Sequence, residues 1–328
     1  MTDVPVVVAL AGGQWRAARA GPRPNVALLD LLASEAEAPD GFRITRGEPL
    51  PVDLSTHPSM HPSMDLTERR IEVDQTNDSW VIGDAVVVKW ITEPLVGPHP
   101  APERLRRLAA AGFTAMPRLR GMVEWWTPDG FWVPVVTAVD LVPDATDGWT
   151  WCLDACRVAL GVEDGAGLPF ARRLGELTAT MHLALADSPT GPVADHGDYH
   201  VGQVLRTPDG ELFVIDFDGN PTLPPEERAR HRPAAYDVAG MLVALENVGH
   251  VVQHYAPDLS DDEVIGWTEQ VQGEFLASYR EGADALLDEA LLEQFVLDQI
   301  HRELAYADSH LPRWRYVPEA ALRRRGTT

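Results

Sequence analysis

The stretch from His196 to Pro221, HGDYHVGQVLRTPDGELFVIDFDGNP, constrains this chain more than any other. Asp198 is followed, after four intervening residues, by the amide Gln203. A short apolar run, Val204 to Arg206, meets the turn sequence Pro208-Asp209-Gly210, and a second, Leu212 to Ile215, delivers Asp216, Phe217, Asp218 and Gly219. This pattern predicts two short strands joined by a tight turn, with acid and amide groups at their outer ends. Such a hairpin brings Gln203 back beside Asp216. The arrangement suits phosphoryl transfer: one carboxylate, Asp198, orients an acceptor hydroxyl, while Gln203 and Asp216 offer oxygen ligands to magnesium held against ATP.

The spacing D-x-x-x-x-N followed by D-F-G is the protein-kinase catalytic set, and here it reads D-x-x-x-x-Q, then D-F-D-G. Any single aspartate in it reads equally well as decoration on a surface hairpin; the whole string does not. The string resembles the aminoglycoside phosphotransferase-like kinases, and within them the actinobacterial maltokinases and glucosamine kinases. The stretches QTNDSWVIGDAVVVKW (75–90), LVPDATDGW (141–149), LGELTATMH (174–182), DVAG (237–240) and LDQIHRELAYADSHLPRW (297–314) are similar to the same group. The resemblance therefore runs from about Gly41 onward. It implies an α+β, bilobal protein-kinase-like fold. Residues 1–60 would form an N-terminal cap subdomain, 61–142 a small β-rich N-lobe ending in a hinge, and 143–328 a mostly helical C-lobe with the catalytic hairpin and the acceptor site.

A chain of 328 residues, 45% hydrophobic, has the length of roughly two domains. Fifty acids against 27 bases leave a net charge of −23, and no basic run exceeds Arg323–Arg325, which argues against nucleic acid as a partner. Acidity favours cations, so ATP needs a local positive site. The only cysteines, Cys152 and Cys156, lie one helical turn apart with no further sulfur to complete a metal site; they read as buried thiols in a reducing cytoplasm. Val4 to Leu10 is short and follows no base, unlike a secretion signal. No segment approaches the roughly 20 apolar residues of a membrane span. A cytoplasmic protein with no membrane, nucleic-acid or evident protein partner is expected.

In the N-terminal part, Val6 to Val8 reads as a strand and Gly12-Gly13 as a turn that fits neither the dinucleotide nor the P-loop fingerprint. Leu28 to Glu37 reads as a helix with Leu29, Leu32 and Ala36 on one face. The repeated HPSM at 57–64 places His57 and His61 four apart, but Pro58 and Pro62 oppose a helix, so a mobile loop near the ATP site is expected. Alternation from Glu68 to Ile91 predicts the N-lobe sheet. Its turn, Gln75 to Ser79, replaces the kinase Gly-rich loop without a glycine, which would leave backbone amides and the Ser79 hydroxyl to meet phosphates. Lys89 closes an all-valine strand at the position of the kinase phosphate-gripping lysine. Its acidic partner is expected at Glu103, in the first turn of the next helix, with Glu93 as second candidate. Phe131 to Val142 leads to a hinge whose backbone from Thr137 to Leu141, Val139 and Leu141 above all, would receive the adenine edge. Trp149 and Trp151 read as packing residues.

The helix Ala171 to Asp187 buries Leu174, Leu177, Met181 and Leu185, with His182 beside them as a satisfied structural histidine. Pro221 to Pro233 reads as a loop. Asp237 is placed to cap the following helix, and in related kinases it braces the catalytic loop. Two later stripes, Val264-Trp267-Val271-Phe275-Tyr279 and Leu292-Val296-Ile300-Leu304, predict two more helices. By resemblance, Asp198 orients the attacking hydroxyl or accepts its proton, Gln203 and Asp216 hold magnesium, Asp218 reaches a second magnesium or the acceptor, His196 braces the loop and His200 touches the acceptor.

Maltokinases typically carry D-F-E-G-E-P where this chain has DFDGNP (216–221), and lysine and tyrosine where it has Gln299 and Arg302. These departures favour a small amino sugar, glucosamine above others, phosphorylated to glucosamine 6-phosphate. Asp298, Gln299, Glu303 and Trp314 would offer it carboxylate, amide and aromatic surface. A maltokinase or an aminoglycoside-type phosphotransferase is the alternative within the superfamily. A metal-dependent hydrolase with His196, Asp198 and His200 as ligands would leave Lys89, the hinge and DFDG unexplained. An inactive nucleotide-binding module would be expected to lack Lys89, Asp198 or Asp216, and all three are present.

Overall fold

The computed structural model describes residues 4–51, 66–71, 77–165, 170–188 and 190–326. The HPSM repeat, Gln75 and Thr76 of the polar turn before Ser79, and a loop expected at 165–168, apart from Gly165, lie outside them. In chain order the first elements are β1 (Val6–Ala11), β2 (Gln14–Arg19), α1 (Pro24–Ala33), β3 (Phe42–Arg46), β4 (Glu68–Ile71), β5 (Asp78–Ile82), β6 (Val86–Trp90), α2 (Ala101–Ala110), β7 (Leu119–Trp126) and β8 (Trp132–Asp140). Then come α3 (Gly148–Ala159), α4 (Ala171–Leu185), β9 (Val204–Arg206), β10 (Leu212–Val214), α5 (Pro225–Arg228), α6 (Ala235–Tyr255), α7 (Asp261–Ala283), α8 (Glu289–His310) and α9 (Tyr316–Arg324). They divide into two compact units: residues 1–102, 116–143 and 221–229, and residues 103–115, 144–220 and 230–328.

The first unit is built on an antiparallel six-stranded sheet, ordered β3-β7-β8-β6-β5-β4, beside the hairpin β1-β2. Alternation sorts β6 into two faces: Val86, Val88 and Trp90 are buried, while Val87 and Lys89 turn the other way. The first set shares one apolar core with Val4 and Val6 and with Leu28, Leu29, Leu31 and Leu32 of α1. The expected cap and the expected N-lobe thus share a core, and β3, from the first sixty residues, is an edge strand of the sheet. The first helix starts earlier and ends sooner than its Leu-Leu-Ala face predicts. Pro24, with its fixed φ and absent N–H, suits a first helical turn. At the other end, the Ser34 hydroxyl accepts the Ala36 N–H at 3.3 Å, drawing the chain out of the helix before Ala36 can join the stripe. The buried Asn25 amide is satisfied on both sides: it donates to Glu68 Oε2 at 2.6 Å and accepts from Trp90 Nε1 at 2.8 Å.

The second unit is mostly helical. The stripe on α4 and the Val264-to-Tyr279 stripe on α7 are buried as their spacing predicts. The two helices approach so closely that a Cβ at Gly175 would stand 2.4 Å from the Phe275 carbonyl. On α8 only Val296 and Ile300 of the expected stripe are buried; the next buried place falls to Ala307 rather than Leu304. Cys152 and Cys156 are free and buried in α3, where desolvation pushes the first thiol well up and the second up to about 12. The basic run at the C-terminus is structural, because Arg324 and Arg325 reach Glu246 of α6. Among the described residues no helix is long and apolar enough to cross a membrane.

Candidate active site

In the second unit β9 and β10 form the predicted hairpin, with Leu205 opposite Phe213. Its turn closes through the Gly210 N–H onto the Thr207 carbonyl at 2.9 Å, at a positive φ of 87° that glycine adopts without strain. At the open end the Ile215 N–H donates to the Gln203 carbonyl at 2.9 Å, so Gln203 stands next to Asp216. Asp216 is exposed and held at φ 62°, a left-handed conformation that an aspartate tolerates better than most residues. Asp198 is half-buried, and its carboxylate accepts no hydrogen bond among the described residues.

Buried groups fix this loop from behind. Asp237 was expected to cap α6, but Ala234 occupies the cap position and no side chain caps the helix. Its carboxylate instead accepts the His196 N–H at 2.6 Å and the Gly197 N–H at 2.9 Å, and faces His182 Nε2 at 3.2 Å. The reason is that the amides of the HGD turn are buried with no strand or helix to pair them, whereas the helix stands without the cap. Burial alone would raise the Asp237 acid; the His182 hydrogen bond and charge, with His196 and the Gly197 amide, hold it below the ordinary value. His182 is satisfied as expected, its other nitrogen meeting Tyr279 OH at 2.9 Å. His196 Nε2 donates to the Ile215 carbonyl at 2.9 Å, tying the HGD turn to the end of β10, and burial pushes the ring toward its neutral form. Two glycines of the quoted motifs permit close approach to the same loop. A Cβ at Gly148 would lie 1.6 Å from the Val201 carbonyl, and one at Gly240 2.6 Å from the Tyr199 carbonyl.

The hydrolase alternative fails on this geometry. His196 spends one nitrogen on Ile215 and turns the other to the Asp198 N–H at 3.4 Å, while His200 Nδ1 accepts the Gly202 N–H at 3.0 Å. Among the described residues no three His, Cys, Asp or Glu side chains cluster so as to hold a metal. Magnesium asks for less, since it keeps waters and takes phosphate oxygens, needing only one or two protein oxygens. Gln203 turns its amide nitrogen toward His200 Nε2 at 3.5 Å, and its oxygen accepts nothing among the described residues. With Asp216 beside it and Asp218 two residues further along the chain, the donor set fits that ion.

The candidate acceptor residues of α8 separate. Asp298 is exposed, and Arg302 donates to Gln299 Oε1 at 2.6 Å rather than pairing with it. Glu303 is half-buried and accepts from Gln299 Nε2 at 2.9 Å and from Asn247 Nδ2 at 2.7 Å. Burial raises its carboxyl above the ordinary range, against those two amides and the charges of His200 and Arg302. Helix α8 thus brings Glu303 within electrostatic reach of the catalytic-loop histidine, whose ring centroid lies 6.4 Å from that of Trp149. Trp314 is half-buried and stacks on Tyr316 with centroids 6.3 Å apart. Asn247 is the member sequence reasoning missed; its signal was a Glu-Asn pair interrupting the apolar run from Met241 to Val252.

In the first unit the register sets Lys89 between Ser79 and Thr137, and Val87 beside Val139. Ser79, Lys89 and Val139 therefore share the sheet face that turns away from α1. Ser79 lies within β5 and is buried, not in the turn before it. Leu141 spends its N–H on the Ala85 carbonyl at 2.8 Å. In the second unit, Glu103 sits in the first turn of α2, where Arg107 Nε donates to it at 2.9 Å and His231 Nε2 lies at 3.4 Å.

No family model matches the chain. A glucosamine kinase of Mycolicibacterium smegmatis is 36% identical to it, over 95% of this chain and 90% of that protein. The chain belongs to the glucosamine kinase family. A second member of that family, from Streptacidiphilus jiangxiensis, is 38% identical over 78% of this chain and 72% of its own. Among solved structures, a glucosamine kinase superposes with a TM-score of 0.77 at 30% identity, covering 98% of this chain and 91% of that one. A glucosamine kinase in complex with glucosamine, ADP and inorganic phosphate superposes with a TM-score of 0.74 at 32% identity, over 97% and 86%. The expected kinship and the expected α+β kinase fold, a β-sheet lobe and a helical lobe, are those of the glucosamine kinase family.

Proposed function

We propose that the protein is an ATP-dependent glucosamine kinase that phosphorylates the sugar's 6-hydroxyl, with magnesium as cofactor. The observation that carries this reading is Glu303. It is a half-buried carboxylate whose direct donors are two neutral amides, close enough to the catalytic loop to feel His200. An ammonium group meeting such a carboxylate gains a charge-assisted hydrogen bond that a neutral hydroxyl cannot match. Gln299 and Asn247 hold Glu303 in place, His200 and Trp314 line the sugar, and Asp298, being exposed, contributes field rather than contact.

Asp198 orients the attacking hydroxyl and takes its proton late, because phosphoryl transfer passes through a loose transition state governed by positioning. Magnesium, when bound, neutralises phosphate charge, and Gln203, Asp216 and Asp218 are the residues that would hold it. Lys89 grips the nucleotide phosphates, with Ser79 and Val139 on the same sheet face. Leu141 offers its carbonyl to adenine, since its N–H is spent. Glu103 is proposed as the acid supporting Lys89 by its place in the sequence. Residues 1–60 act as a cap fused to the N-lobe of 61–142, ahead of the C-lobe of 143–328, and the buried thiols suit a cytoplasmic setting. The test is ATP consumption with glucosamine, glucose, maltose and an aminoglycoside in turn, with mass spectrometry of the product. Glucosamine phosphate as main product is expected; equal or better use of maltose would overturn the amino-sugar reading and leave a kinase.

A further inference from the structure

Arg104 of α2 is 2% exposed, although it sits in a helix whose neighbouring arginines, Arg106 and Arg107, reach solvent. A buried guanidinium costs several kcal/mol of desolvation, and packed apolar residues commonly serve stability as well. What an apolar residue would not supply is its pair of contacts. Arg104 Nη1 donates to the Phe217 carbonyl at 2.8 Å, the peptide joining Phe217 to Asp218. Its Nη2 lies 3.9 Å from Asp195 Oδ1, three residues before Asp198, and only 3.0 Å from where a Cβ on Gly197 would stand. Asp195 is itself fully buried, and Arg232 Nη1 holds its other oxygen at 3.1 Å. One guanidinium therefore touches both strings that carry the chemistry. The Asp216–Gly219 string needs such a support: Asp216 at φ 62° and Gly219 at φ 75° are both left-handed, so it cannot join a regular element. His196 anchors it from one side through the Ile215 carbonyl, and Arg104 from the other through Phe217.

We propose that Arg104 is a positioning residue for phosphoryl transfer, fixing the Asp216–Gly219 string against the catalytic loop so that the magnesium oxygens and Asp198 address one reaction line. The proposal rests on the kinase reading above. Arg104→Met and Arg104→Lys are compared with wild type for folding, for turnover with ATP and glucosamine, and for magnesium-dependent ADP binding by calorimetry. Arg104→Met is expected to lose about 100-fold in kcat, with both KM values within about threefold, because a displacement near 1 Å is enough for that loss. It should also need roughly tenfold more magnesium for the same ADP binding, and Arg104→Lys, which keeps the charge and one donor, should recover part of both. A purely structural arginine would lower the melting temperature and leave turnover per folded molecule unchanged. A folded Arg104→Met variant with near wild-type kcat and magnesium dependence overturns the proposal. If that variant does not fold, Asp195→Asn decides. It keeps the bond to Phe217 and loosens the tie to the Asp198 loop, so about tenfold lower kcat at unchanged KM supports the proposal and unchanged kcat overturns it. Wild-type protein that consumes no ATP with glucosamine would refute the kinase reading instead, and the magnesium–ADP titrations would still decide the role of Arg104.

Discussion

Glu246 and Glu303, on α6 and α8, are two glutamates drawn from water into opposite states. Glu246 is 1% exposed, and Arg325 clasps both its oxygens at 2.7 and 3.0 Å, with Arg324 at 3.4 Å and His250 at 3.7 Å. Burial works to raise its acid, but the nearby His250 ring, the Arg325 hydrogen bonds and the arginine charges bring it down to about 2. At Glu303 burial keeps the carboxyl above the ordinary range, because the amides of Gln299 and Asn247 offset it only in part. The type of donor separates them: guanidinium groups at Glu246, neutral amides at Glu303. Glu246 has its countercharge inside the chain and clamps α9 to α6. Glu303 has none in direct contact among the described residues, and in the proposed reading the ammonium of the sugar completes it.

The largest effect expected on the functional side of this contrast is at Asp198. Asp198→Asn should lower turnover about 10²–10⁴-fold while leaving ADP binding and the melting temperature near wild type, if the lost group is the proposed base, whose carboxylate accepts no hydrogen bond among the described residues. Steady-state kinetics on the purified variant checks this, and wild-type turnover would remove Asp198 from the mechanism. On the structural side, Glu246→Gln should cost roughly 3–5 kcal/mol of stability, as breaking a buried ion pair does, with kcat and both KM values unchanged. Here the sign with pH is fixed. The folded acid is held down at about 2 against an ordinary 4.5, so the stabilisation is complete above the unfolded value and is lost as pH falls through the folded one. Urea unfolding from pH 7 downward should show the gap between wild type and variant closing only in acid. A gap independent of pH would show that packing, not charge, makes Glu246 matter.

Much of this was legible along the chain, and the exceptions at the candidate site share a cause. The catalytic hairpin, the α4 and α7 stripes and the satisfied His182 follow from periodicity and turn chemistry acting over a few residues. Choices between a local and a distant partner were not legible. Asp237 is a sound cap candidate by position, but it went to amides about 40 residues upstream that nothing else could satisfy. Asp298 and Arg302 have the spacing of a surface pair, yet Arg302 chose Gln299, and its guanidinium lies over the Tyr236 ring at 5.0 Å. In α2 the sequence points to Glu103 and gives Arg104 no role. The period did hold a signal, because Arg104 and Leu108 are four apart and both are buried. What the period could not reveal was the carbonyl and the aspartate waiting for it.

The smallest effect tests the contrast most directly. Glu303→Gln keeps the shape and the neighbouring amides of the site and removes only the charge. The KM for glucosamine should rise about tenfold, the value of one charge-assisted hydrogen bond over a neutral one, while the KM for ATP stays put. Stability should move opposite to that of Glu246→Gln. The folded Glu303 acid is raised, so the native state holds its proton more firmly than the unfolded chain does. The group therefore opposes folding increasingly as pH rises from its unfolded value through its folded one. Removing the charge should leave stability at neutral pH unchanged or slightly higher. The same titration predicts an acid limb in wild type: as pH falls and Glu303 takes up its proton, the countercharge for the ammonium disappears and the glucosamine KM climbs. The charges acting on that carboxyl are His200 of the catalytic loop and Arg302 of α8, and Asn247 of α6 contributes only a neutral donor. In Glu303→Gln the limb should vanish. A variant that kept both the wild-type KM and its acid limb would mean that the ammonium is met elsewhere, and that the two glutamates differ in surroundings but not in purpose.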